Sequence, residues 1–123
     1  MSSFSIAARI RSFRYAFAGA RVLLSSQHNA RIHAAATMAV CIAGALFRVS
    51  AQEWGLLAVA IGQVWTAEAL NTAIEFLADE ISEEKRSRIG KAKDVAAFGV
   101  LMAALSSAII GGIVFLPRFF DVL

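Results

Sequence analysis

Charge, cysteine and proline are all scarce in this chain. Of its 123 residues only 17% are Asp, Glu, Lys or Arg, and 59% are hydrophobic. A soluble domain carries roughly 25% charged and 45–50% apolar residues. With a mean hydropathy of +0.66, the shortage of charge excludes an ordinary soluble domain and points to a membrane protein. The single cysteine, Cys41, excludes an intrachain disulfide and any multi-cysteine metal site. It falls in an apolar helix, where packing is its expected role. The single proline, Pro117, is expected to end the last apolar segment. There is no Walker A pattern and no G-x-G-x-x-G, so any nucleotide site must be of an unorthodox kind. Nor is there a nucleic-acid-binding motif or a long basic patch. The net charge of +3 comes from basic residues beside apolar segments, which suits anionic headgroups and phosphorylated ligands.

What the sequence does contain is three apolar stretches, at about 33–50, 54–78 and 95–117. Spanning a bilayer takes roughly 20 residues, with a range of about 17–25, so each qualifies as a transmembrane helix. The first is the shortest, and its helix is expected to begin before His33. Ahead of it, in about 4–26, Ile6, Ile10, Phe13, Phe17, Ala20 and Leu24 recur at helical steps, with Arg11, Arg14 and Arg21 opposite. This reads as an amphipathic helix lying in the membrane interface. Arg9 breaks the pattern by projecting toward the apolar side: it either snorkels to headgroups or is aimed at a ligand. The whole chain, 1–123, reads as a single membrane domain.

Lysine and arginine placement sets the orientation. Arg9, Arg11, Arg14, Arg21 and Arg31 precede the first span, and Lys85, Arg86, Arg88, Lys91 and Lys93 lie between the second and third. Only Arg48 and Arg118 flank the other side. The N-terminus and the second connection are therefore expected in the cytoplasm, and the VSAQE turn and C-terminus outside. No cleavable signal is expected, because the N-terminal stretch lacks a continuous apolar core and a small-residue cleavage site.

The second span carries an unusual stripe. In AEALNTAIEFLADE (67–80), Glu68, Asn71, Glu75 and Asp79 follow at steps of three, four and four, which stacks them on one helix face. Insertion scales set the cost of a charge at mid-bilayer at roughly 2.5–3.5 kcal/mol, so such a stripe wants a function or a protein partner. Three chemistries fit. One is proton or cation transport through Glu68. Another is Mg²⁺-assisted group transfer at the membrane surface. The third is burial between subunits. Lys93 and Asp94 open the next helix. A lysine near a helix start opposes the dipole, which a phosphate bridged to it would explain. Pairing with Asp94 or Asp79 would explain it equally.

These residues carry a resemblance. AEALNTAIEFLAD followed by GKAKDVAA closely resembles the signature of the bacterial integral-membrane diacylglycerol kinase and undecaprenol kinase family. The pattern is E-x-x-N-x-A-x-E-x-x-x-D and then A-K-D. FRYAFAG (13–19) and HNARIH (28–33) extend the match over nearly the whole chain. The resemblance implies an all-α fold of one amphipathic surface helix and three transmembrane helices, assembled as a homotrimer in the bacterial cytoplasmic membrane with active sites shared between subunits. It implies transfer of the γ-phosphate of MgATP to the hydroxyl of a lipid alcohol, undecaprenol or diacylglycerol. The partners it implies are ATP, that lipid, the surrounding membrane lipids and further copies of the chain, with no nucleic acid.

Carried over by position, Glu68 resembles the general base and Glu75 a Mg²⁺ ligand. Asn71 and Lys93 resemble phosphate contacts, and Asp79 and Asp94 supports near the nucleotide. Arg9 is the choice for a further nucleotide contact, with Arg11 and Arg14 as competitors. Gln27 stands where relatives place a second metal-binding glutamate, and an amide oxygen is the weaker Mg²⁺ ligand. Lys85 and Arg86 stand where some relatives have residues near the adenine. His28 and His33 are read as interfacial hydrogen-bonding residues. The reading from another class is a small proton-coupled transporter built on Glu68.

Overall fold

A computed structural model describes residues 3–84 and 86–122; Lys85, and with it the expectation for the adenine contacts there, lies outside the described residues. The chain forms four helices: α1 (Ile6–Ser26), α2 (His28–Leu46), α3 (Ala51–Ile81) and α4 (Ser87–Val122). Ser5 caps α1 by accepting from Ala8 N–H. Gln27, in extended conformation, ends α1 and starts α2. The helix of the first apolar stretch thus begins ahead of His33, as expected. Arg31 fixes this junction, its guanidinium donating to the carbonyl oxygens of Leu24 (2.9 Å) and Ser25 (2.8 Å) at the end of α1.

The α2–α3 turn is built by two interlocking caps. Arg48 adopts φ 52°, Val49 N–H donates to Gly44 O (3.1 Å), and Arg48 N–H donates to Ala45 O (3.3 Å). This is a Schellman closure with an arginine at the left-handed position usually given to glycine. Val49 then buries against Leu57 and Val114. Ser50 and Glu53 form a capping box, Ser50 Oγ accepting from Glu53 N–H and Glu53 Oε2 accepting from Ser50 N–H. Glu53 also receives both terminal nitrogens of Arg118, which ties the start of α3 to the end of α4.

Pro117 does not end the last helix. α4 runs through it to Val122, although the ring removes one main-chain donor; in the same turn the Arg118 guanidinium donates to Val114 O at 2.8 Å. The start is also earlier than the apolar pattern implies. The helix begins at Ser87, so Lys93 sits in its second turn and the dipole argument for that residue weakens.

The principal packing is α3 on α4, with α2 against α3. Polar side chains contribute to the seam: Gln63 Nε2 donates to Ser106 Oγ (2.9 Å) and Ser107 Oγ (2.8 Å), and Ser107 Oγ donates to Ala60 O (2.8 Å). At the turn end Gly44 meets Trp54, whose ring lies 2.5 Å from where a Cβ on residue 44 would stand. Few apolar side chains are buried, and large ones such as Met38, Ile42, Val59, Leu70, Phe98, Leu105 and Ile109 stand exposed along the helices. α2 and α4 are long and apolar enough to cross a membrane. α3 has the length but is interrupted by Gln63, Glu68, Asn71 and Glu75.

Candidate active site

The stripe on α3 opens into a groove. Glu68, Asn71 and Glu75 line a cavity of about 470 Å³ whose other walls are Asn29, Ile32 and His33 of α2 and Ala97, Val100, Leu101 and Ala104 of α4. The steps of three and four place the three polar side chains on one side of α3, and the small and apolar residues of α4 leave them room. Three of the expected residues thus come together, and two from α2, Asn29 and His33, join them.

Glu68 is the deepest, 1% exposed. Its Oε2 is buried without a hydrogen-bond partner; the nearest basic atom is His33 Nε2 at 3.7 Å. Asn71 donates from Nδ2 to Glu75 Oε1 at 3.3 Å, which leaves its Oδ1 buried and unpartnered. Unpaired buried acceptors are costly, so two of them in one groove mark a place where something else is meant to bind. Thr72 Oγ1 is a third unpartnered buried atom. It belongs to a different cleft, of about 570 Å³, between α1 and α3.

Beyond Glu75 the stripe reaches the charged end of the bundle. Lys93 Nζ donates to Asp79 Oδ1 at 2.8 Å, with both side chains well exposed. The Asp79 carboxylate, aided by the charge of Glu75, holds the Lys93 ammonium above its ordinary pKa. Of the two carboxylates open to Lys93 for pairing, Asp79 and Asp94, it meets Asp79. Asp94 and Arg9 are exposed, Arg9 on α1. Gln27 does not join the groove: its amide nitrogen lies 3.4 Å from Ser26 Oγ at the α1–α2 junction, and Asn29 is the α2 residue that lines the cavity.

The family model for prokaryotic diacylglycerol kinase matches residues 14–115. This chain belongs to that family. An undecaprenol kinase of Bacillus subtilis is 39% identical over 108 residues, which cover 88% of each chain. A diacylglycerol kinase of Synechocystis is 39% identical over 107 residues, 86% of this chain and 61% of that protein. Membership in the family and the names of these relatives make the chain an ATP-dependent lipid kinase and give no support to the proton-coupled transporter. The matched residues contain the whole groove.

The groove's donor set can be compared with the Mg²⁺ that a kinase reaction requires. It offers the carboxylates of Glu68 and Glu75 and the amide oxygens of Asn29 and Asn71, all hard ligands, and two of these oxygens, Glu68 Oε2 and Asn71 Oδ1, are buried without a partner. No group of three or more His, Cys, Asp or Glu side chains among the described residues could hold a metal alone. Mg²⁺ usually binds through one or two carboxylates plus substrate phosphates rather than in an all-protein cage, so the residues present fit it.

Proposed function

We propose that this chain transfers the γ-phosphate of MgATP to the hydroxyl of undecaprenol or diacylglycerol, using the groove between α2, α3 and α4. The observation that carries the reading is Glu68: a carboxylate 1% exposed with an oxygen left unpaired, at the inner end of a stripe whose outer end is ionic. A lipid hydroxyl is a poor nucleophile. A carboxylate within hydrogen-bond reach takes its proton as the new bond forms. Glu68 is that base, and its depth suits an acceptor arriving from the bilayer.

ATP would come from the charged end. Glu75 would hold Mg²⁺, which when bound neutralises β- and γ-phosphate oxygens. Asn71 and Lys93 contact the phosphates, with Lys93 exchanging part of its bond to Asp79 for a phosphate oxygen. Asp79 and Asp94 keep the local cations in place, and Arg9 adds a further positive charge from α1. Gln27 as a second metal ligand gains no support from its place at the helix junction.

The same reading takes α3 as a third membrane-spanning helix beside α2 and α4, α1 as a surface helix, and the N-terminus and the α3–α4 connection as cytoplasmic in the bacterial inner membrane. The distribution of Lys and Arg supports that orientation. The reading also includes assembly as a homotrimer with shared sites, in which neighbouring copies would close the open groove and cover part of the exposed apolar surface. The test is phosphorylation in mixed micelles with radiolabelled ATP, comparing undecaprenol, diacylglycerol and ceramide with and without Mg²⁺. Label in undecaprenol or diacylglycerol that requires Mg²⁺ is the expected result. Failure of every lipid to take label overturns the proposal.

A further inference from the structure

A general base buried as deeply as Glu68 raises a second question: where its proton goes. Each transfer forms a bond between the lipid oxygen and the γ-phosphorus and breaks the bond from that phosphorus to the β-bridging oxygen. ADP leaves, and the hydroxyl proton stays on Glu68. Before the next cycle that proton must depart from a side chain only 2% exposed. We propose that His33 accepts it, returning Glu68 to the carboxylate and passing the proton to water. This rests on Glu68 being the base.

The geometry singles out His33. Its Nε2 lies 3.7 Å from Glu68 Oε2, the oxygen that lacks any hydrogen-bond partner, and the His33 side chain is 20% exposed against 2% for Glu68. It therefore joins the buried carboxylate to the accessible part of the groove. A small side-chain rotation brings the pair to hydrogen-bond distance, about 2.7–3.2 Å.

The imidazole is also held in register. The Trp65 indole N–H donates to Thr37 Oγ1 at 3.0 Å, and the Thr37 hydroxyl donates to the His33 carbonyl at 2.7 Å. The Trp65 ring packs edge-on to His33, with centroids 6.5 Å apart and planes at 65°. Trp65 lies three residues before Glu68, so one turn of α3 supplies both the base and the packing of its neighbour. Among the described residues no other titratable group competes at this point. α4 faces the groove with Ala97, Val100, Leu101 and Ala104, α2 adds the neutral Asn29, and Glu75 stands two turns further along α3.

The step balances without any further reagent. The Glu68 Oε–H bond breaks, an Nε2–H bond forms on the neutral imidazole, and the resulting imidazolium loses a proton to water. Imidazole is the side chain whose unperturbed pKa lies nearest neutrality, which allows both halves of the exchange.

The experiment compares the full chain in mixed micelles with His33→Ala and His33→Asn, measuring kcat, KM for ATP, dependence on buffer and dependence on pH. His33→Ala is expected to lose roughly tenfold or more in kcat, with KM for ATP little changed. Added imidazole is expected to restore much of the loss, and kcat of both variants to rise with the concentration of a basic buffer and with pH. A purely structural His33 would not respond to either base. The proposal is overturned if His33→Asn keeps the kcat and pH profile of the unaltered protein. It is also overturned if the lost rate in His33→Ala is indifferent to imidazole and buffer while a thermal melt shows the variant folded. The underlying reading fails separately, through a Glu68→Gln variant that retains full activity. Should His33→Ala not fold, His33→Asn carries the buffer and pH tests alone.

Discussion

Replacing Glu68 by glutamine should push activity and stability in opposite directions. Glu68 is 1% exposed and its Oε2 has no partner. An unsatisfied buried polar atom costs about 1–3 kcal/mol, and more when charged. The amide has almost the same shape, is neutral, and brings a donor that can turn toward the ring nitrogen of His33. Glu68→Gln should therefore stabilise the fold by about 1–3 kcal/mol, seen as a higher Tm in detergent micelles. The same change removes the base. General base catalysis is worth about 10²–10⁴ in rate, or roughly 3–5 kcal/mol in the barrier. In a radiolabelled-ATP assay kcat should fall by that factor. KM for ATP should move little, because the nucleotide is assigned to residues further along the stripe. A variant with kcat intact would refute the assignment of Glu68 as base. A variant that lost activity together with stability would refute the claim that the carboxylate is held there at a cost to the fold.

Lys93→Ala should raise KM for ATP and lower kcat, since it removes a phosphate contact and leaves Asp79 without its partner; titration with ATP at saturating lipid measures both. Gly44→Ala should destabilise the α2–α3 contact by about 1–3 kcal/mol, because the new methyl would stand 2.5 Å from the Trp54 ring, and a Trp54→Ala background should remove most of that penalty in thermal melts. Arg48→Gly should stabilise by about 1 kcal/mol by relieving a left-handed arginine. The Glu53–Arg118 pair gives a pH signature. Arg118 lowers the Glu53 pKa from the ordinary 4.5 to about 2, so the stabilisation is complete above 4.5 and is lost as pH falls from there through 2; Tm of the unaltered protein should drop across that window, and Glu53→Gln should flatten the drop.

Much of the site could be read from spacing. Steps of three and four put Glu68, Asn71 and Glu75 on one face of any helix, so their common groove follows from periodicity once the helix is granted. The pairing of Lys93 with Asp79 is one of the options that spacing leaves open, beside Asp94 and a bridging phosphate, because a separation of fourteen residues across a connection says nothing of which group meets the ammonium. His33 was read as a hydrogen-bonding residue at the interface. Its place beside Glu68 depends on how α2 registers on α3, set by Trp65 and Thr37, and no periodicity within one helix encodes that. Gln27 is placed by correspondence with relatives, and its position at the junction of two helices is set by caps that no periodicity within one helix encodes. The ends of α4 were misjudged for a common reason. Hydropathy marks where a helix is apolar, whereas hydrogen bonding sets where it stops, and neither the charged turn after Ser87 nor Pro117 interrupts it.

Clasps at both ends make α3 and α4 a closed frame. Glu53 and Arg118 join the helices at one end, Gln63 with Ser106 and Ser107 stitches the middle, and Asp79 and Lys93 join the other end. Glu75 lies twenty-two residues from Glu53, about 33 Å at 1.5 Å per residue. Release of the Lys93 clasp by an arriving phosphate would therefore loosen only the end assigned to the nucleotide, while the remote clasp keeps the two helices in register.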